Sequence, residues 1–536
     1  MNNHKLTSQR RRPRFLLPQP GRSHVQAHAA RLEAVQDLLN LGFPYSCTLR
    51  AHHSCVNALA FSSGDGRFLA SGGDDLAIHL WDLHEQNAGV RTPSSSFHGP
   101  RQNIFVLSFS AQNRFLYSGG VDDTVLKYDL TTQVPERLGA AQGHRYPDER
   151  FHDHSDSIRA ISTHATQDDI FLTGSEDGRI ILHDTRLPRP QNTLQLASEV
   201  TGLQFHPDAG MAHLFATSDN KGRVCLRDTR MAFGPAIQRA GGGGVVLEWH
   251  TRLARRGVGH LAAPETSSLV WNRDGTMLGV TMLHYYPTLY GLEDPDPLAV
   301  CTAPPNTYAN SCTMKHGSFG GPGLDTDVLY VAGSDDFRAY VWDVPSVEAL
   351  KVRREVVPYD EWEAGAGGAD EAFAQQSTSA RYLPAQLSPS SHLGGHASIV
   401  NTVVVHPRMM LVATAGIECG VVLHGAGSES GGVGGGPVVE QMGMERTGER
   451  TRRVGEAVVW EGEEGEERDA IGFFDELLIA EGQTDVFVAR KWRGEDEDDD
   501  HMDSEEEEDD DEGQDCSEES EDGDGDSDDE MEVDLY

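Results

Sequence analysis

The chain has 536 residues and a formal net charge of −41. Because this length exceeds that of an ordinary domain, it favours one large repeat domain with appendages. The seven cysteines show no CxxC motif and no clustered spacing, which argues against a disulfide framework or a zinc site. No apolar run approaches the roughly 20 residues that span a bilayer. We therefore expect a soluble intracellular protein, nuclear and/or cytoplasmic, that has no membrane partner.

The first segment, residues 1–26, is predicted to be a basic disordered arm, because it cannot bury apolar surface. Residues 1–31 contain seven Lys or Arg and no acidic residue. This composition fits a nuclear-import or nucleic-acid patch, a solvated arm or a mitochondrial presequence. The sequence leaves these alternatives open.

Residues 27–43 are predicted to contain a short amphipathic helix that ends near Gly42 and Pro44. Four apolar residues fall on one helical face: Leu32, Val35, Leu38 and Leu39. The helix either packs on the rim of the following domain or docks in the groove of a partner.

The next segment, residues 44–424, contains a sequence pattern that occurs twice. The copies span Thr173–Arg186 and Thr217–Arg230, and each ends in Asp-Thr-Arg. In both, a small hydroxyl residue leads into a polar turn, and a strand with alternating β-branched residues follows. A repeat of about 40–45 residues with this content is typical of a WD-type β-propeller blade.

One ten-residue interval recurs along this segment, between a small residue and an aromatic or polar one. The matching pairs are Ser71/Trp81, Ser118/Tyr128, Thr173/His183, Thr217/Arg227, Ala332/Trp342, Thr414/His424 and, with a degenerate turn, Val280/Tyr290. Short β-branched segments suit inner strands that are packed on both faces: Val56–Phe61, Ile104–Phe109, Ile158–Ile161 and Val400–Val405. The sequence therefore predicts an all-β fold, a seven-bladed WD40 β-propeller.

The propeller needs an outer strand for its last blade, because the chain after His424 becomes rich in glycine. Pro44–Arg50 can supply that strand and remove the free sheet edges. Two insertions, at 241–259 and 345–393, are longer than ordinary connections, and we expect either disordered or functional loops there.

Three segments follow the propeller. We predict a Gly/Glu-rich linker at 425–468, a short helical segment at 469–493 and an acidic disordered tail at 494–536. The tail contains 27 Asp or Glu and no Lys or Arg, so the rest of the chain carries a net charge of −14. Self-repulsion of these charges keeps such a tail unfolded.

Two sets of polar residues are predicted to form hydrogen-bonded chains inside blades. They are His52, Ser71, Asp75 and Trp81, and His154, Thr173, Asp177 and His183. Because buried polar groups must be paired, we interpret them as elements of stability and not as a catalytic or metal site. The chain also lacks a P-loop, a strand-flanked GxGxxG, a GxSxG elbow and an HExxH motif. We expect a non-catalytic protein without a cofactor, a metal or a direct nucleic-acid site.

The arginines that end the two repeated patterns are the candidate interaction residues. Arg186 and Arg230 follow the strand ends of consecutive blades and should project side by side from one face. Their guanidinium groups can form bidentate hydrogen bonds to a partner. The alternative is a salt bridge to a neighbouring blade.

Tandem Asp-x-Arg endings in adjacent WD blades resemble the box of the cullin-4 RING ubiquitin ligase substrate receptors, the damaged-DNA-binding adaptor and cullin-4 associated factors. The resemblance covers roughly 44–424 and also rests on Gly72–Asp75, Asn103–Phe105, Asn310–Lys315, Gly333–Phe337 and Gly395–Asn401. It implies that the adaptor is contacted by Asp184, Arg186, Asp228, Arg230, Leu32, Val35, Leu38 and Leu39. This chain has His183 and Arg227 where the box usually has Trp.

The leading hypothesis is a substrate-recognition subunit that links a protein substrate to a cullin-4 ligase. The alternative is a chromatin- or histone-binding WD40 scaffold, since a basic arm and an acidic tail suit such partners. The two roles are compatible, because the substrate of a ligase receptor can itself be a chromatin protein.

Overall fold

The computed structural model describes residues 24–84, 92–131, 145–187, 192–234, 242–305, 307–365, 367, 369–375, 379–426 and 445–446. The main elements of the described chain are short strands in seven sheets, each built on four antiparallel strands. The inner strands of neighbouring sheets contact one another in turn, and the inner strand of the seventh sheet contacts that of the first. The predicted fold class, an all-β WD-repeat propeller, is confirmed.

The four strands of each blade follow one another from the channel outward, and their order in the chain is the same in blades 1 to 6. Blade 1 consists of Val56–Phe61, Phe68–Gly73, Ile78–Asp82 and Ser95–Phe97, and blade 2 of Ile104–Phe109, Phe115–Gly120, Val125–Asp129 and Glu149–Phe151. Blade 3 consists of Ile158–Thr163, Ile170–Ser175, Arg179–Asp184 and Asn192–Gln195, and blade 4 of Val200–Phe205, Leu214–Asp219, Val224–Asp228 and Val245–Trp249. Blade 5 consists of Thr266–Trp271, Met277–Met282, Thr288–Gly291 and Pro297–Cys301. Blade 6 consists of Gly317–Gly320, Leu329–Gly333, Ala339–Asp343 and Ser391–Leu393, and blade 7 of Val400–Val405, Leu411–Gly416, Gly420–Gly425 and Tyr45–Arg50.

Each blade has two ends, and these ends define two faces of the ring. In blade 1, Val56 at the start of the inner strand pairs with Gly73 at the end of the second strand. Phe68 at the start of the second strand pairs with Asp82 at the end of the third. We call the face where inner strands begin the front face, and the face where third strands end the back face. The turns after the second strands therefore lie on the front face.

The outer strand of blade 7 comes from the start of the propeller. Tyr45–Arg50 pairs antiparallel with Gly420–Gly425, and Glu445–Arg446 adds a two-residue strand beside Tyr45 and Ser46. Leu49 is fully buried in a cluster that includes Leu69 of blade 1 and Leu423 of blade 7. Apolar packing therefore supports the backbone pairing at this junction.

The insertions predicted at 241–259 and 345–393 are not loops, and this prediction is corrected. Val245–Trp249 is the outer strand of blade 4, and Ser391–Leu393 is the outer strand of blade 6. Further strands from both insertions form one extra sheet, which we call the side sheet. Its strands in sheet order are Leu261–Ala262, Leu253–Arg255, Glu371–Ala374, Ala380–Leu383 and Glu355–Pro358.

The side sheet explains why the insertions resemble loops in the sequence. Leu253 from the first insertion packs on Phe373 from the second and on Val300 in the outer strand of blade 5. Ala385–Leu387 then runs parallel to that same outer strand. The strand Leu253–Arg255 of the first insertion pairs with Glu371–Ala374 of the second, and a pairing between distant segments leaves no local signal in the sequence.

The described helices are His24–Leu41, Thr229–Ala232, Val347–Arg353 and Tyr359–Glu363, with a 3₁₀ turn at Ala209–Met211. Within the described ranges, no helix combines the length and the apolar character needed to cross a membrane. The first helix begins three residues before the predicted segment 27–43. Residues 1–23 of the predicted arm, the 469–493 segment and the 494–536 tail lie outside the described residues. So does the 427–468 part of the linker, apart from 445–446.

The junction in blade 7 gives a test of the fold. Removing residues 1–50 deletes the strand that pairs with Gly420–Gly425 and leaves that strand as an open edge. We expect a loss of about 5 kcal/mol or more, since backbone hydrogen bonds and the burial of Leu49 are lost together. Chemical denaturation and light scattering should report lower stability and aggregation. Removing residues 1–42 is the matched control and should leave a monomeric propeller; equal behaviour of the two truncations would contradict the closure.

Candidate functional site

The predicted polar chain of blade 1 is present in the structure. His52 Nδ1 lies 3.0 Å from an Asp75 carboxylate oxygen, and His52 Nε2 lies 2.8 Å from Ser71 Oγ. Trp81 Nε1 donates to the same Ser71 Oγ at 3.0 Å. The chain connects the front-face turn to the third strand through the interior of the blade, as expected for a structural element.

Blade 3 repeats this arrangement with a histidine in place of the tryptophan. His154 lies 3.0 Å from Asp177 and 2.7 Å from Thr173 Oγ1, and His183 Nε2 lies 2.9 Å from that same hydroxyl. Blade 7 carries a third chain of this kind, which joins Glu418, His396, Thr414 and His424. The substitution of His for Trp therefore preserves the hydrogen bond to the central hydroxyl.

Blade 4 uses an arginine at the same position. Arg227 is only 2% exposed, and its Nε donates to Thr217 Oγ1 at 3.0 Å. Its Nη1 donates to the carbonyl oxygens of Gly242 and Gly243. Arg227 is thus a structural residue, although the sequence pattern alone gives no sign that this arginine is buried.

One group of side chains has the composition of a metal site. His52, Asp75 and His79 place their ligand atoms close together. Both ring nitrogens of His52 are already engaged with Asp75 and Ser71, and His79 Nδ1 lies 2.8 Å from Ser96 Oγ. The group belongs to the hydrogen-bonded chain of blade 1, so its geometry gives no support for a metal ion.

Blade 6 contains a buried ion pair that sequence patterns do not reveal. Lys315 and Asp335 are both fully buried and form an ion pair. Asp335 also accepts hydrogen bonds from the backbone N–H groups of Ser311 and Cys312, and Lys315 Nζ donates to Thr313 Oγ1 at 2.6 Å. The run Asn310–Lys315, which general blade chemistry does not require, is therefore a loop fixed by one internal charge pair.

The two Asp-Thr-Arg boxes lie on the back face, at the ends of the third strands of blades 3 and 4. Arg186 donates from Nε to Asp184 Oδ1 at 2.7 Å and from Nη2 to Oδ2 at 2.6 Å. Arg230 holds Asp228 in the same way, at 3.0 and 2.6 Å. The partner is thus the aspartate of the same box and not a residue of a neighbouring blade.

The electrostatics of the boxes follow from this pairing. The hydrogen bonds from Arg186 and Arg230 lower the pKa values of Asp184 and Asp228. The arginine side chains remain 57% and 69% exposed, and each keeps its Nη1 group without a partner in the box. Each box therefore presents an oriented guanidinium group to solvent.

The surroundings of the boxes are apolar and exposed. Leu187 directly follows the first box and is 48% exposed, and Met231 directly follows Arg230 and is 44% exposed. Asp82 and Asp129 end the third strands of blades 1 and 2, but His84 and Thr131 occupy the arginine positions there. Arginine next to exposed apolar side chains has the composition of a protein interface.

The N-terminal helix also lies at the back face, because it leads into Tyr45, which pairs with Gly425 at the end of a third strand. Leu38 and Leu39 pack against a cluster of blades 6 and 7 that includes Leu329 and Met410. Val35 is half-buried, whereas Leu32 is 50% exposed. The four predicted helix residues are therefore divided between packing on the propeller and exposure to solvent.

Comparison with known proteins agrees with this geometry. The family described as WD domain, G-beta repeat matches residues 44–82, 91–129 and 146–184. DDB1- and CUL4-associated factor 5 of Mus musculus and that of Homo sapiens are each 29% identical over 375 residues, which is 70% of this chain and 33% of each relative. Methylosome protein WDR77 of Xenopus laevis is 28% identical over 174 residues, which is 32% of this chain and 47% of that protein.

These matches and the sheet topology together show to which class of protein the chain belongs. The chain is a WD-repeat β-propeller protein. Within that class it is similar to DDB1- and CUL4-associated factor 5 over 375 residues. The chain spans about a third of the length of those two relatives.

The polar chain of blade 1 gives a prediction for acid stability. Burial alone would raise the pKa of Asp75, but hydrogen bonds from His52 and from the backbone N–H groups of His53 and Ala77 lower it from 3.8 to about 2. Since the folded-state pKa is depressed, this carboxylate stabilises the fold above pH 4 and loses that contribution as the pH falls toward 2. The stability difference between wild type and Asp75→Asn, measured by denaturation, should shrink across that window. A difference that stays constant with pH would contradict this assignment.

Proposed function

We propose that the chain is a non-catalytic substrate-recognition subunit of a cullin-4 RING ubiquitin ligase. It links a protein substrate to the adaptor DDB1, which the names of its relatives include. The observation that carries the proposal is the pair of Asp-Thr-Arg boxes on adjacent blades, with both guanidinium groups exposed on the back face.

The geometry of the boxes favours binding over a purely structural role. A surface ion pair between residues two positions apart contributes little to stability. The pair does fix the orientation of a long side chain, which reduces the entropy lost when a partner binds. The free Nη1 groups of Arg186 and Arg230 can then donate to carbonyl or carboxylate oxygens of the adaptor.

The N-terminal helix supplies a second contact on the same face. Its C-terminal part is held by Leu38 and Leu39, so the helix direction is fixed relative to the propeller. Leu32 remains exposed and can enter an apolar groove of the adaptor. Because the boxes and the helix belong to one rigid body, the adaptor binds both together more tightly than it would bind either alone.

This arrangement leaves the front face for the substrate. The boxes and the helix both engage the back face, so the front-face turns and the mouth of the central channel remain accessible when the adaptor is bound. The helix and the tandem arginines together give the propeller one orientation in the ligase.

Charge reversal of both arginines tests the proposal directly. Co-purification of DDB1 with the full chain should succeed for wild type and should fall at least tenfold for Arg186→Glu with Arg230→Glu, because two exposed donor groups become repulsive. Both arginines are exposed, so thermal unfolding should be nearly unchanged.

Arg67→Glu is the matched control for this experiment. Arg67 lies on the back face of blade 1, is 48% exposed and pairs with Asp82 as the box arginines pair with their aspartates. Its reversal should leave DDB1 recovery unchanged. Equal recovery with all three chains would contradict the role of the boxes. No recovery with any chain would instead favour the histone-binding scaffold.

Leu32→Asp tests the contribution of the helix. Because Leu32 is half-exposed, the change should leave the propeller folded and reduce DDB1 recovery several-fold. Val352→Asp, at an 86% exposed position in the helix Val347–Arg353, is the control that introduces the same charge elsewhere. Recovery that is equal for the two variants would remove the helix from the interface.

A further inference from the structure

A cavity of about 360 Å³ lies at the front-face mouth of the central channel. Six of the residues around it occupy the second position of an inner strand, one from each blade except blade 6: Asn57, Phe105, Arg159, Thr201, Ser267 and Asn401. Met314, from the loop fixed by Lys315 and Asp335, also lines the cavity. The lining therefore combines these polar side chains with the apolar surface of Phe105, Met314 and Ile417.

Three blades carry an acid at the start of the front-face turn, and in two of them the acid binds a cation of the same blade. In blade 3, Arg159 of the inner strand donates to Glu176 at 2.6 Å. In blade 6, Lys315 pairs with Asp335. At these positions the chain neutralises its own carboxylates.

Blade 1 carries the acid at this turn position but has no cation at the inner-strand position. Asp74 occupies the turn position of Glu176, and Asn57 occupies the inner-strand position of Arg159. Asn57 Nδ2 donates to Asp74 Oδ1 at 2.6 Å, so a neutral amide stands where blade 3 has a guanidinium. Burial raises the pKa of Asp74, and within the described part of the chain no cationic side chain forms an ion pair with it. The half-buried carboxylate faces the cavity with its charge uncompensated.

The other charged groups of the cavity are already balanced. Arg159 is engaged by Glu176 and lies 4.8 Å from the centre of the Phe105 ring. Burial, together with the charge of Arg159, lowers the pKa of His316 to about 4, so this side chain is neutral at pH 7. The excess charge at the mouth is the negative charge of Asp74.

We propose that Asp74 binds a lysine or arginine side chain of the protein substrate at the channel mouth. Blades 3 and 6 show the chemistry, because in each a carboxylate at this turn position pairs with a cationic side chain. In blade 3 that cation, Arg159, also lines the cavity. Phe105 and Met314 line the same cavity and suit the methylene stem of such a side chain. The identity of the ligand as a substrate rests on the proposed function, whereas the cation site does not.

A peptide library tests the site. The probe is a synthetic library of randomised nonapeptides, acetylated and amidated at their ends, selected on the immobilised full chain. We expect the enriched peptides to share one Lys or Arg. Replacing that residue by Gln, or Asp74 by Asn, should weaken binding about tenfold or more. Asn57→Arg should do the same, because it gives blade 1 the internal cation that blade 3 has.

Asp123→Asn is the matched control, since Asp123 is an exposed carboxylate in the corresponding turn of blade 2. It should leave peptide binding unchanged. Enrichment of peptides without a basic residue, no enrichment, or equal affinity of wild type and Asp74→Asn would overturn the proposal. DDB1 recovery should be normal with Asp74→Asn, because the change lies on the front face. A failure of this site is therefore distinguishable from a failure of the adaptor contact.

Discussion

The pairing of Tyr45–Arg50 with Gly420–Gly425 is the constraint on which the arrangement of the molecule depends. An open ring of blades would leave sheets with free edges, and such edges promote aggregation. The chain meets this requirement by returning its first strand to its last sheet. The same pairing places the helix that precedes Tyr45 at the back face, where both arginine boxes lie. A requirement of the fold thus positions the two regions proposed to contact the adaptor.

The two faces of the ring carry different chemistry, and the difference follows from strand direction. Third strands end at the back face, so Arg186 and Arg230 are exposed there beside Leu187 and Met231. Inner strands begin at the front face, so their second residues surround the channel mouth. In the proposed function, the propeller must hold an adaptor and a substrate at once. Placing the proposed adaptor contact and the proposed substrate contact on opposite faces would allow both to be occupied without competition.

Repeated local patterns made much of the fold predictable. The ten-residue interval and the β-branched segments identified the blades, and the hydrogen-bonded chains at Ser71 and Thr173 have the predicted partners. The pairing between the two insertions was not predictable in this way. Leu253–Arg255 meets Glu371–Ala374 across more than a hundred residues, and neither segment has a strong period of its own. The roles of Arg227 and Lys315 depend on burial, which an isolated charged residue in a sequence does not indicate.

The central claim is that the back face binds the adaptor while the front face stays open. Amide hydrogen exchange of the full chain, measured with and without DDB1, tests it most directly, since protection follows burial of the backbone. Slower exchange is expected at Thr185–Leu187, at Thr229–Ala232 and in the helix His24–Leu41. No change is expected in the front-face turn that begins at Asp74. Protection of that turn, with the boxes and the helix unchanged, would show that DDB1 binds the front face instead.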